Sequence, residues 1–323
     1  MITINAGELA RWVPVSLDLE AETPSIEWGD FGDRRFIEPF FDDSVARWAA
    51  ENPPPRAVRT DLDALALLDQ APSLDPNGMI FHLSRSGSTL LARMFRQIPG
   101  CVVVSEPEIL NDLLVADPGI VDEETHVELV RLLVRALGRR RLGDEQYYVI
   151  KLSSWNVHKF RLFRRAFPSA RAVWVQRTPA EVIASLLARP PVWLGTRDVD
   201  PALTRSLFGI SSEEVASLQP AALCARALST LLRAARTAPK NTLRTIDYTE
   251  LPDAAWEIAA PLFGYSIGAP EIERMKEEAR YYSKDAVPRL FERPPPGSIS
   301  IPELIQRLAE DDLNPLYREL SRR

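Results

Sequence analysis

The stretch Phe81-His82-Leu83-Ser84-Arg85-Ser86-Gly87-Ser88-Thr89-Leu90-Leu91-Ala92-Arg93-Met94 decides how the rest of the chain is read. Met79 to Leu83 is an apolar run of strand length, and Leu90, Leu91 and Met94 fall at helical spacing beyond a turn of small and cationic residues. A strand that passes through such a turn into a helix leaves backbone N–H groups unpaired and aimed outward, and the helix dipole adds positive potential there. Arg85 supplies a full charge, and Ser86, Ser88 and Thr89 supply hydroxyl donors around Gly87. The turn is a place for an anion. It is not the ATP-type loop, because G-x-x-x-x-G-K-[ST] laid on Gly87-Ser88-Thr89 puts His82 in place of the first Gly and Ser88 in place of the Lys.

Strand and helix signals alternate from Gly78 to Gly264. Cys101–Val104 is a short apolar run ending at Ser105-Glu106-Pro107, and Tyr147–Ile150 empties into Lys151. Asn156–Phe167 has a helical pattern, Arg171–Gln176 is a further strand delivering Arg177, and Thr242–Asp247 is another. A helix starts from Asp122, and Thr178-Pro179-Ala180-Glu181 combines three helix-start signals. The reading is an α/β fold: a three-layer arrangement with about five parallel strands flanked by helices. In such sheets ligands bind beyond the carboxyl ends of the strands. The polar residues at those ends are Arg85–Thr89, Ser105–Glu106, Lys151, Arg177 and Asp247–Tyr248. Three fixed cations, hydroxyls and one base at a single sheet edge describe a polyanion site with acid/base chemistry beside it.

Residues 1–76 read as an amino-terminal extension packing on a catalytic domain of residues 77–323. Alternation at Val13, Val15, Leu17 and Leu19 predicts a strand, Ser25–Trp28 a second extended piece, and Asp43–Ala50 a helix cut off by the run Pro53-Pro54-Pro55. Thr60 is placed as the cap of a helix over Leu62, Leu65 and Leu68. Trp28, Phe36, Phe40 and Phe41 are aromatic anchors. The proline-punctuated segment 189–219, with Trp193, is a candidate lid or a plain connector. The basic run Arg139-Arg140-Arg141 reads as a solvated helix end, and Ser300-Ile301-Pro302-Glu303 as a capping box.

The 323 residues are 46% hydrophobic and 26% charged, an ordinary balance for a globular chain. A net charge of −6 argues against nonspecific nucleic-acid binding while allowing a local basic pocket. Cys101 and Cys224 are far apart in apolar segments and read as buried free thiols, not as a disulfide or metal site. With no signal-peptide pattern and no run of about 18 apolar residues, the expected address is cytoplasmic, without membrane partnership.

The loop at Arg85–Thr89 resembles the 5′-phosphosulfate loop of the sulfotransferases that use 3′-phosphoadenosine 5′-phosphosulfate (PAPS), closer to the bacterial and carbohydrate types than to the cytosolic ones. The resemblance sharpens at Arg177-Thr178-Pro179-Ala180-Glu181-Val182-Ile183-Ala184-Ser185, where the family carries an Arg and, eight positions on, a Ser that hold the 3′-phosphate. Arg244-Thr245-Ile246-Asp247-Tyr248 is similar to the family's strand whose Tyr lies near the adenine, and Lys284 falls where other members place a late basic segment. The cytosolic members' Arg-Lys-Gly signature is absent. The resemblance covers roughly residues 78–290. It implies a PAPS-dependent, metal-independent transfer of a sulfuryl group to a hydroxyl, with an amine as second choice, on a small-molecule or glycan acceptor.

Within that reading the cofactor contacts are Arg85, Ser86, Gly87, Ser88, Thr89, Arg177, Ser185, Tyr248 and Lys284, with Arg85 also stabilising the leaving phosphate. Lys151 resembles a strand-ending Lys of some bacterial members and would neutralise the sulfuryl or acceptor side. Glu106 is the base by similarity to the Glu-Pro of carbohydrate sulfotransferases; Pro107 is expected to hold it extended, and burial would have to raise its pKa. Glu108 and His158 compete with it, whereas His82 and His126 read as structural. The alternatives are a phosphotransferase, disfavoured by the missing Gly and Lys, and a nucleotide-binding module without catalysis.

Overall fold

A computed structural model describes residues 11–51, 53, 55–69, 72–115, 122–284, 289–291 and 300–323. The expectations that touch residues 1–10, Pro54, the side chain of Leu68 and residues 285–288 lie outside the described residues.

Two sheets form. β1 (Trp12–Asp18), β2 (Ser25–Asp30) and β3 (Ala57–Asp61) make an antiparallel sheet in that order. β4 (Gly78–His82), β5 (Cys101–Ser105), β6 (Tyr147–Lys151), β7 (Arg171–Gln176) and β8 (Arg244–Asp247) make an all-parallel sheet in the order β5-β6-β4-β7-β8. The chain leaves β4 for the outer strand β5, returns through β6, then crosses to β7 and β8 on the other side. β4 is thus the switch point, and the loop after it opens at the crevice where open sheets bind ligands.

Alternation along the strands sends side chains to two cores. Val103, Val149, Val173 and Val175 pack with Leu91, Met94, Phe95 and Phe263 on one face. Val104, Ile150, Phe81 and Trp174 pack on the other with helices Glu123–Leu137 and Pro220–Thr237 and with the amino-terminal sheet. Helix Glu303–Leu320 braces the far strands: Gln176 Nε2 donates to Ser321 Oγ (2.7 Å), and Tyr317 Oη donates to Asp247 Oδ2 (2.5 Å).

Several local expectations are corrected. Thr60 does not cap a helix; it lies in β3, where its hydroxyl accepts Trp28 Nε1–H (2.9 Å), and the next helix runs Asp63–Leu68. A satisfied indole buried in the extension outweighs a helix cap available only locally. The capping box at Ser300 does not form, since the last helix begins at Glu303 behind Pro302. The basic run is solvated only at Arg140: Arg139 is buried, and Arg141 donates to the carbonyls of Gly32 (3.2 Å) and Arg34 (2.7 Å) while lying 4.9 Å from the centre of the Phe36 ring. Burial pushes both guanidinium pKa values down to about 10. Arg141 anchors the extension to the half that carries the parallel sheet. Segment 189–219 holds three short helices, Val192–Gly195, Pro201–Phe208 and Ser212–Ser217. No helix among the described residues is long and apolar enough to cross a membrane.

Candidate functional site

Parallel strands put their carboxyl ends on one edge, and the sheet order arranges the candidate residues along it: Glu106 after β5, Lys151 ending β6, the Ser84–Thr89 loop after β4, Arg177 after β7 and Tyr248 after β8. Four steps of about 4.8 Å make this edge roughly 19 Å long, enough for an extended nucleotide rather than a single small anion.

The loop is built from strained backbone. Ser84 (φ 73°), Arg85 (φ 49°) and Gly87 (φ 88°) are left-handed, and Gly87 leads directly into helix Ser88–Phe95. Left-handed residues ahead of a helix start turn successive N–H groups into one concavity, an anion nest. Gly87 is needed twice over, for its φ and because a Cβ there would lie 2.7 Å from Leu251 Cδ1 and 2.8 Å from Tyr248 Cδ2. Gly87→Ala is therefore expected to cost at least about 1–2 kcal/mol from its backbone alone and to weaken anion binding at the loop; denaturant unfolding together with binding isotherms checks both, and unchanged values would place the loop outside the site.

The loop side chains divide their roles. Ser86 Oγ donates to the Val175 carbonyl (2.9 Å), so this hydroxyl ties the loop to β7 and is committed within the protein, unlike the free ligand donor expected. Ser88 and Thr89 are buried in the first helical turn. Arg85 donates to the Arg189 carbonyl (2.6 Å), and its charge faces Glu106 and Arg189. Lys284 belongs to the same cationic group. It is enclosed on most sides but open at its surface; that burial, and the charges of Arg85, Lys151 and Arg189, bring its pKa down to about 8. Its charge is felt together with those of Glu106 and Lys151.

At the other end Arg177 stacks over the Tyr248 ring (4.5 Å to its centre) and makes a two-pronged pair with Glu181 (3.2 and 3.3 Å). Thr178 begins the helix as expected, but its hydroxyl meets the Glu181 carboxylate instead of a backbone N–H. Ser185, one turn beyond Glu181, is partly exposed on the same helix flank. Tyr248 touches Arg177 with one face and Gly87 with its edge, which joins the two halves of the site.

The centre of the site is an ion pair between a buried Lys151 and Glu106, whose side chain keeps 26% of its surface open. Lys151, fully buried, bonds through Nζ to Glu106 Oε1, and Glu106 N–H donates to the Lys151 carbonyl (2.7 Å). Glu106 is not extended: its φ is 48°, and the backbone bond to β6 turns it left-handed despite Pro107. Nor is its pKa raised. Burial alone would push it up, but the Lys151 charge and the neighbouring His82 outweigh burial and hold the carboxyl far below the ordinary range. Burial likewise lowers the Lys151 pKa against the opposing pull of Glu106. The Phe40 ring lies 5.1 Å from Lys151 Nζ, so the extension supplies one wall of the site. Arg96 holds that segment through the Ile37 carbonyl (2.9 Å).

The competing bases stand apart from this pair. Glu108 is exposed, and its N–H donates to Asp42 Oδ2 (3.1 Å), a carboxyl that burial pushes up to about 6. His158 Nε2 lies 3.4 Å from Thr230 Oγ1 on helix Pro220–Thr237. Trp28 and Phe36 are core residues of the extension, whereas Trp193 packs edge-on to Phe208. Sequence reasoning gave Arg189 no role, named Phe40 only as an aromatic anchor and read His82 as structural. Of these only His82 left a signal: it is a polar residue at the carboxyl end of an apolar strand.

No protein-family model matches the chain, and no curated protein matches it. Solved structures to which it is similar include a sulfotransferase from Alicyclobacillus acidocaldarius (13% identity, TM-score 0.42, covering 77% of this chain and 95% of that one). Others are the sulfotransferase domain of a Synechococcus olefin synthase (16% identity, TM-score 0.42, covering 75% and 95%) and a sulfotransferase from Mycobacterium avium (12% identity, TM-score 0.40, covering 72% and 71%). No residue assignment rests on these likenesses.

Proposed function

We propose that the chain transfers a sulfuryl group from PAPS to a hydroxyl, or secondarily an amine, of a small-molecule or glycan acceptor. The observation that carries this reading is the order along the sheet edge: an acid/base pair, an anion nest beside it, and a second Arg-bearing anion position at the far end. The sequence resemblance at Arg85–Thr89 and Arg177–Ser185 supports it. A ligand with an anionic group at each end of a nucleoside fits that row; a lone phosphate does not use its length.

In the reaction the acceptor oxygen bonds to sulfur as the bond from sulfur to the 5′-phosphate oxygen breaks, its electron pair leaving on the phosphate. The N–H groups of Arg85–Gly87, with the Arg85 side chain, receive that developing charge, while the Ser84 N–H stays on His82. Lys284 and Arg189 raise the local positive potential. Glu106 takes the acceptor proton on Oε2, since Oε1 is engaged by Lys151. A carboxylate of low pKa is a weak base for a resting hydroxyl, but an attacking oxygen becomes strongly acidic as its bond to sulfur forms, so a late transfer suffices. An anionic sulfuryl group also competes with Glu106 for the Lys151 ammonium, and loosening the pair lets burial raise the carboxyl pKa. Arg177, exchanging the Glu181 carboxylate for the ligand, and Ser185 hold the 3′-phosphate, and Tyr248 flanks the base.

Incubation with sulfur-labelled PAPS and a panel of phenols, alcohols, sugars and amines tests the reading. Label is expected on at least one hydroxyl acceptor without added metal. Nucleotide binding with no transfer to any acceptor would leave a binding module, and phosphoryl transfer from ATP would establish the phosphotransferase.

A further inference from the structure

His82 joins the two working parts of the site. It ends β4, is 4% exposed, and immediately precedes the left-handed loop. The Ser84 N–H, turned back by that residue's φ of 73°, donates to His82 Nδ1 (3.0 Å). A neutral imidazole with one nitrogen accepting carries its hydrogen on the other. That nitrogen, Nε2, lies 3.3 Å from Glu106 Oε1, off the line of a full hydrogen bond and with no other hydrogen-bond partner among the described residues. Burial keeps the ring neutral, against the opposing pull of Glu106. Glu106 Oε1 is thus faced by Lys151 Nζ and His82 Nε2 together, from the adjacent strands β6 and β4. Oε2 remains the oxygen not claimed by this clamp.

We propose that His82 is a positioning residue which fixes the anion nest through Nδ1 and orients Glu106 through Nε2, coupling the occupied loop to the base. The proposal rests on the functional reading above for the meaning of both ends, but its geometry is testable separately. The two ring nitrogens can be mimicked one at a time. In His82→Asn the amide oxygen falls near Nδ1 and keeps the Ser84 contact; in His82→Gln the amide nitrogen falls near Nε2 and keeps the Glu106 contact.

With 3′-phosphoadenosine 5′-phosphate as the binding probe and labelled PAPS as donor, His82→Asn should bind nearly as the parent does but turn over about tenfold more slowly, whereas His82→Gln should lose about tenfold in affinity with a smaller change in kcat. Equal changes of Kd and kcat in the two variants would overturn the proposal, because a merely structural histidine would not separate them. Ring-nitrogen NMR of the parent protein provides a second measurement that needs no variant to fold. With three histidines in the chain the His82 signal is tractable, and the Nε2-protonated neutral form is expected. A proton on Nδ1 would refute the proposal even if transfer is found. The expected tautomer in a protein that binds no nucleotide would sink the functional reading and leave the His82 geometry standing.

Discussion

Lys151→Met is expected to destabilise the protein by up to about 3 kcal/mol, because it leaves the largely enclosed Glu106 carboxylate without its counter-charge, with the quarter of its surface open to water moderating the loss. The wild-type pair rests on Lys151 Nζ bonded to Glu106 Oε1, with the backbone of Glu106 hydrogen-bonded to β6 as well. Lys151→Met/Glu106→Gln removes both charges and should recover most of the loss. The sign of the pH dependence follows from the same pair. In the parent the carboxyl pKa is held far below its ordinary value, so the stability Glu106 contributes is fully present above the unfolded pKa of about 4.3. That contribution is lost as pH falls through the lower folded value. Without Lys151, burial is opposed only by the His82 contact, and the folded pKa rises above the unfolded one. Stability from this group is then present below about pH 4.3 and lost as pH rises through the raised pKa. Denaturant unfolding of the three proteins between mildly acidic and neutral pH measures both effects. A double variant as unstable as the single, or parallel pH slopes in parent and Lys151→Met, would show that the pair is not coupled.

The second large effect concerns Glu106 itself. Glu106→Gln should lower the transfer rate roughly 10²–10⁴-fold, the usual range for loss of a general base. Binding of 3′-phosphoadenosine 5′-phosphate should not fall with it. Removing a carboxylate from beside Lys151 and the cationic group of Arg85 and Lys284 makes the site more positive, so anion affinity is expected to hold or to rise. That split distinguishes a proton acceptor from a residue that only builds the pocket. Turnover within a few-fold of the parent would move the base elsewhere, with Glu108 and His158 the residues to test next.

The sheet edge was legible because its logic is local. Each strand is a short apolar run ending in a polar residue, and parallel topology places all those ends together. Hence Arg85–Thr89, Glu106, Lys151, Arg177 and Tyr248 could be named from sequence and meet on one edge in the structure. What escaped depends on strand order and long-range packing. Alternating strand and helix signals do not say that β6 inserts between β5 and β4, yet that insertion puts the Lys151 ammonium against Glu106 and depresses the pKa expected to rise. The left-handed backbone of Glu106 follows from its bond to the Lys151 carbonyl, not from Pro107. Arg141 looked like solvated charge because its partners, the carbonyls of Gly32 and Arg34, lie more than a hundred residues away in sequence. Phe40 carried no periodic signal, and only the docking of the extension brings its ring to Lys151.

The central claim is that the site binds a nucleoside bearing anionic groups at both ends, and calorimetry addresses it most directly. Titrating the protein with 3′-phosphoadenosine 5′-phosphate, 5′-AMP and ATP isolates the phosphate assigned to Arg177 and Ser185. The account predicts that the 3′-phosphorylated ligand binds about 10–100-fold more tightly than 5′-AMP, the worth of one charged, forked contact, and more tightly than ATP. Equal affinity for 3′-phosphoadenosine 5′-phosphate and 5′-AMP, or a preference for ATP, would contradict it.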